Sequence, residues 1–187
     1  MKANVGRTIP LTVTSLPRKV ILYSDAEGNG GVAAVAILGE VGFFMKGVVP
    51  SRVRRLLVQR KTNIVAFELL IAVAALVSFC PGYLEGAEID HYIDSKPALS
   101  CILKGASSKP DLSDISGRLW FECCHLMANY KAYYVPSKLN LADGPSRNDV
   151  SLMSQLGLSE VPFKFPSFSG GLGAWMARPE EANRLSI

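Results

Sequence analysis

Four acidic residues stand where a fold gathers ligands. Asp25 closes the apolar run Val20-Ile-Leu-Tyr-Ser-Asp25 and leads into Gly28-Asn-Gly-Gly31. Glu68 lies near the start of the helix-like stretch Asn63 to Phe79, and Asp94 follows the strand-like Ile89 to Ile93. Asp143 sits in Leu139-Asn-Leu-Ala-Asp-Gly-Pro-Ser-Arg147, just after the strand-like Tyr130 to Val135. Carboxylates at strand ends, joined by one from a helix, supply oxygen ligands for hard divalent cations. Two such cations can promote an in-line displacement at phosphorus. Each acid taken singly also has a plain structural reading: Asp25 as a turn former, Glu68 as a helix-surface charge, Asp143 as an N-cap. Crowded together without metal, they would repel one another and some would hold their protons above the usual range.

The elements that must position these acids follow from the apolar runs and their punctuation. Residues 1–18 read as an irregular arm. Lys19 to Ser24 is β-rich with little alternation, as expected of a strand buried on both faces. Val32 to Leu38 and Val41 to Lys46 form a second and third strand, with Gly39-Glu40 as a tight hairpin. A basic stretch from Val49 to Lys61 leads to the apolar helix. Glu88 to Ile93 is a fourth strand, and Pro97 to Leu103 a short helix with Ser95 as N-cap and Gly105 as its stop. A longer helix over Leu112 to Ala128, opened by Asp111, precedes a fifth strand that Pro136 ends. Asn148 to Leu156 is a last short helix. From Gly157 the chain carries Pro162, Pro166, Gly170, Gly171 and Gly173 with scattered aromatics, and lacks a core of its own. The order β-β-β-α-β-α-α-β-α predicts an α/β domain over 19–156, between the arm and a tail at 157–187. Its expected sheet is mixed and five-stranded, three strands antiparallel and two parallel, with helices on its faces.

Composition narrows the class. At 187 residues, 49% hydrophobic and 19% charged, the chain suits one globular core rather than disorder. Cys80, Cys101, Cys123 and Cys124 show no zinc spacing and fall in apolar stretches, so buried reduced thiols are expected. Ile64 to Cys80 is apolar but short for a bilayer crossing and carries Glu68, so no membrane span is expected. The net charge of +4 is unevenly spread: Arg52, Arg54, Arg55, Arg60 and Lys61 cluster with no intervening acid, which suits a polyanion. The compartment stays unknown: the first 24 residues are basic and acid-free, like an organelle transit peptide, but Pro10 and Pro17 interrupt any amphipathic helix.

Tyr134-Val-Pro-Ser-Lys-Leu-Asn-Leu-Ala-Asp-Gly-Pro-Ser-Arg147 resembles the motif that closes the ribonuclease H domain of hepadnavirus and tyrosine-recombinase-type retrotransposon polymerases. Asp94-Ser-Lys-Pro-Ala-Leu with Lys104-Gly-Ala-Ser, and Glu68-Leu-Leu-Ile-Ala, resemble that branch too, and all stand in the order of reverse-transcriptase ribonuclease H domains. The resemblance covers about Val20 to Arg147. It implies a ribonuclease H-like fold and a metal-dependent endonuclease that cuts the RNA strand of RNA–DNA hybrids, leaving 5′-phosphate and 3′-hydroxyl ends. It implies two Mg²⁺ ions, replaceable by Mn²⁺. Asp25 would bridge both, Glu68 and Asp94 would hold the ion near the leaving oxygen, and Asp143 the ion that activates water.

Substrate contacts follow as expectations. The turn carrying Gly28 and Asn29 would approach the hybrid, and Arg52, Arg54, Arg55, Arg60 and Lys61 would hold phosphates without reading sequence. Trp120 reads as a core residue of its helix. Many family members carry a histidine in the loop before the last acid, and none lies between Pro136 and Asp143; His91 and His125 sit elsewhere. The connection from Gly105 to Asp111 has no room for a basic handle helix. The domain is expected to lean on a polymerase domain or larger complex through the arm and tail. A second reading is a domesticated, non-catalytic ribonuclease H fold with an assembly role, favoured by Phe163, Phe165, Phe168 and Trp175.

Overall fold

The computed structural model of the chain describes residues 17–79 and 81–165. The arm up to residue 16, Cys80, and everything from Pro166 on, including Phe168 and Trp175, lie outside the described residues. The chain runs β1 (Lys19–Ala26), β2 (Gly31–Leu38), β3 (Val41–Val48), α1 (Ser51–Arg54), α2 (Ile64–Ser78), α3 (Pro81–Leu84) and β4 (Glu88–Ile93). It continues with α4 (Lys96–Lys104), α5 (Pro110–His125), β5 (Asn129–Tyr134), a 3₁₀ turn (Ser137–Leu139), α6 (Asp143–Ser146), α7 (Ser151–Gln155) and β6 (Ser159–Glu160).

The sheet order is β5-β4-β1-β2-β3-β6. β1, β2 and β3 pair antiparallel, while β4 lies parallel to β1 and β5 parallel to β4. The hairpin strands can neighbour each other because their turns are short, whereas the parallel pairs need the helical crossovers α2 and α4–α5. On one face Val20, Leu22, Ala34, Ala36, Met45, Ile89 and Ile93 join the buried faces of α2, α4 and α5. α2 touches β1, β2, α4 and α5, which is why its sequence is apolar on nearly every side. On the other face a smaller cluster of Ala33, Val35 and Phe44 meets Ala142 and Met153 from the α6–α7 region.

Ser95 and Gly105 bound α4 as expected: the Ser95 side chain accepts from Ala98 N at 3.4 Å, and Gly105 takes φ 64° at the C-cap. Asp111 departs from its expected role. It lies in the first turn of α5 but is buried, and its carboxylate turns to Val58 N and the Arg60 guanidinium. Trp120 is half-buried against the edge of Tyr130, with Nε1 donating to Ile102 O at 2.9 Å. Cys123 is buried and Cys101 half-buried, but Cys124 is exposed on the outer face of α5, correcting the expectation of uniformly buried thiols. No helix among the described residues is long and apolar enough to cross a membrane.

The strand count is six rather than five. β6 pairs with β3 through Phe43↔Ser159 and Phe44↔Glu160, and Val161 N donates to Phe44 O at 2.8 Å. Its two residues carry no strand pattern; main-chain bonds to an open sheet edge create it. The segment that follows is seated on the same sheet. A Cβ on Gly47 would meet the Phe163 ring at 2.4 Å, so that glycine leaves the slot the ring fills. Val161, Phe163 and Phe165 pack against the main core, and Lys164 is tied to Ser78 in both directions, N to Oγ at 2.9 Å and Oγ to O at 3.0 Å. The start of the tail therefore lies on this chain's own core.

Candidate metal centre

Parallel pairing of β1 and β4 sets Ser24 opposite Ile93, so Asp25 and Asp94, one residue further on, emerge side by side at the same sheet edge. α2 crosses behind that edge and delivers Glu68 from its second turn. The loop after β5 delivers Asp143. Asn140 pins this loop to β1: its Nδ2 donates to Ser24 O at 2.9 Å, while its Oδ1 accepts from Ala142 N at 3.1 Å. α6 then starts at Asp143, and the Ser146 hydroxyl donates to the Asp25 carboxylate. Gly31 makes that approach feasible, since a Cβ there would meet Ser146 O at 2.5 Å.

The four acids line one cleft of about 330 Å³, together with Glu27, Ile64 and Arg147. They divide into two groups sharing Asp25. Asp25, Glu68 and Asp94 each place an oxygen within 4.8 Å of the others, and so do Asp25, Glu27 and Asp143. Glu27 was missed in the sequence; its signal was spacing, since residues two apart along an extended chain share a side. Arg147 faces the second group, with Nε donating to Glu27 Oε1 at 2.5 Å and Nη2 lying 2.9 Å from Asp143 Oδ1.

Burial raises the Asp25 carboxyl to about 6, opposed by the Ser146 hydrogen bond and reinforced by Asp94, Asp143 and Glu27. Burial raises Glu68 further, to about 9, with Asp25 and Asp94 adding to it and a main-chain bond from Ala26 opposing it. Glu68 Oε2 is buried without a hydrogen-bond partner among the described residues. An orphaned oxygen amid like charges is a position that a cation would satisfy. The ligand set is all oxygen, which suits a hard divalent ion rather than a thiophilic one. The residues present fit such an ion in either group.

The candidate nucleic-acid contacts are placed unevenly. Gly28 and Asn29 are exposed on the turn beside the cleft, and Asn29 Oδ1 accepts from Gly31 N at 2.8 Å, leaving its amide nitrogen to donate outward. Arg54 reaches this turn but is half-buried: its guanidinium lies against Gly30 and over the Phe67 ring, and Nε donates to Val49 O at 2.9 Å. Arg52, Arg55 and Lys61 are exposed. Arg60 is set apart from them, because its guanidinium is committed to buried Asp111, whose charge needs a partner. His91 is fully buried between Tyr130 Oη and Ser24 Oγ, and burial lowers it to about 3. It is a neutral part of the core.

Among solved structures, the chain is similar to the N-terminal RNase H domain of Rv2228c from Mycobacterium tuberculosis, solved as a fusion with maltose-binding protein. Identity is 20% over 75% of this chain and 99% of that one, with a TM-score of 0.51. The fold is ribonuclease H-like. RNase H1 from the halophilic archaeon Halobacterium salinarum is 16% identical over 71% of this chain and 98% of its own, with a TM-score of 0.48. LC11-RNase H1 in complex with an RNA/DNA hybrid is 15% identical over 73% and 99%, also at 0.48. No model of a known protein family matches the sequence, and no curated protein matches it significantly.

Proposed function

We propose that this chain is a divalent-metal-dependent endonuclease that hydrolyses the RNA strand of RNA–DNA hybrids, of the retroelement reverse-transcriptase branch, with Mg²⁺ as its ion and Mn²⁺ as a substitute. The observation that carries it is the meeting of Asp25, Glu68, Asp94 and Asp143 from four separate elements, with a Glu68 oxygen left buried and unpartnered. A ribonuclease H-like fold with an unrelated role has no physical reason to keep that arrangement, since like charges in a buried site oppose folding. The assembly reading drew on Phe163, Phe165, Phe168 and Trp175; the first two pack on this chain's own core, and the other two lie outside the described residues.

Asp25, Glu68 and Asp94 would hold one ion, and Asp25, Asp143 and Glu27 the other. Bound there, the ions supply Lewis acidity that stabilises the entering and leaving oxygens of an in-line displacement. The chain's own residues prepare this chemistry. Ser146 orients Asp25 by its hydrogen bond, and Asn140 fixes the loop bearing Asp143. Arg147 neutralises Glu27 and Asp143 and adds a cation where a phosphodiester would arrive. Arg52, Arg55 and Lys61 add salt-sensitive grip on the backbone. A polymerase domain or larger complex would hold the rest of the hybrid.

Strand-labelled hybrid incubated with Mg²⁺ or Mn²⁺ tests the proposal. Cleavage confined to the RNA strand, abolished by EDTA and by Asp25→Asn or Asp94→Asn, is expected. Cleavage that survives both substitutions, or well-folded protein that binds metal yet cuts nothing, contradicts it.

A further inference from the structure

Beside the acid cleft lies a second hollow of about 430 Å³, and Arg147 lines both. Gly31, where β2 begins, and Gly47 and Val48 at the end of β3 line it. Lys46, Asn148 and Asn29 add polar side chains, and exposed Glu160 is the one acid among the described lining residues. Lys46 is half-buried and has no carboxylate within ion-pair distance among the described residues; its Nζ donates to Asn148 Oδ1. Asn148 takes φ 69°, a left-handed conformation held by its N–H donating to Pro145 O at 3.0 Å. Asparagine tolerates that conformation, and there it spends its oxygen on Lys46 while its amide nitrogen stays free to donate.

The hollow thus gathers hydrogen-bond donors from a lysine, an arginine and two amides. An ammonium held over the hollow with no ion-paired carboxylate among the described residues leaves its charge available to an anion. The anion that would arrive beside a phosphodiester-cutting cleft is another phosphate of the same strand. We propose that this pocket, a binding site distinct from the exposed arginines, seats a backbone phosphate next to the one placed over the acids. The inference rests on the nuclease reading for the identity of the strand, but the affinity for phosphate can be measured apart from it.

The test is titration of inorganic phosphate, then of a 5′-phosphorylated dinucleotide, into ¹⁵N-labelled full chain in EDTA, with chloride-matched ionic strength. Saturable shifts of the Gly31, Gly47 and Val48 amides and the Asn148 side-chain NH₂ are expected, lost in Lys46→Met and weakened in Asn148→Ala. With hybrid and Ca²⁺, Lys46→Met should weaken binding roughly fivefold and reduce the slope of log affinity against log salt by about 0.9, the value of one phosphate contact. Shifts that never saturate, that map only to Arg52 and Arg55, or that persist in both variants overturn the assignment. Hybrid cleavage by the same preparation, exchanged from EDTA into Mg²⁺, reports separately: cutting without a phosphate site overturns only this inference. Saturable phosphate binding without cutting supports the pocket and removes the nuclease reading.

Discussion

Replacing Glu68 with glutamine should make the metal-free protein more stable while destroying its metal site. Glu68 is buried, and burial with the nearby charges of Asp25 and Asp94 raises it from 4.5 to about 9. In the unfolded chain it ionises near its ordinary value, so between those limits the folded state binds more protons than the unfolded one. Stability from this group is therefore complete below about pH 4.5 and falls steadily as pH rises towards 9. At pH 7 the deficit spans about 2.5 pH units, or roughly 3 kcal/mol, and at pH 5 it is under about 1 kcal/mol. Glutamine keeps the shape, removes the titration, and can donate to Asp25 or Asp94 where the carboxyl kept its proton. With about 2–4 °C per kcal/mol at this chain length, E68Q should melt about 6–12 °C above wild type in EDTA at pH 7, with most of the margin gone at pH 5. Adding Mg²⁺ should shrink or reverse the margin, because only wild type keeps the full ligand set for the ion held by Asp25, Glu68 and Asp94. The assay is thermal unfolding by circular dichroism from pH 5 to 8, with and without metal. An E68Q protein that melts at or below wild type at pH 7, or a margin independent of pH, would refute the reasoning.

Two further substitutions separate grip from structure. Arg60→Met leaves the buried Asp111 carboxylate unpaired, with Oδ1 already lacking a partner. Urea unfolding should show a loss of about 3 kcal/mol, with hybrid affinity of the folded protein unchanged. Glu27→Gln removes one carboxylate from the Asp25–Asp143 group and one partner of Arg147. Titration calorimetry should show Mn²⁺ affinity falling by roughly tenfold at one site only, at nearly unchanged melting temperature in EDTA.

The central strands and the four acids were legible because both are local. Val20 to Ser24 is an apolar run and Ile89 to Ile93 a strand-like one, each followed at once by its acid, and parallel pairing turns two strand ends into neighbours. α4 was bounded by its own Ser95 and Gly105. What escaped was made by partners distant in sequence. β6 exists because β3 has an open edge and Gly47 leaves room for Phe163, and nothing in Ser159-Glu160 announces a strand. Arg60 looked like one of five equivalent charges until Asp111, 51 residues away, claimed it. Glu27 was visible as a neighbour of Asp25, but its place in the site depends on Arg147 and the α6 loop. The seating of Asp143 through Asn140 and Ser146 likewise joins positions more than a hundred residues apart.

Crystals of the metal-free protein soaked in Mn²⁺, with anomalous diffraction collected from them, test the central claim most directly. Two anomalous peaks are expected, one among Asp25, Glu68 and Asp94 and one among Asp25, Asp143 and Glu27, both absent in Asp25→Asn. No peak at saturating Mn²⁺, or peaks only away from these carboxylates, would contradict the claim that this cluster is a metal centre.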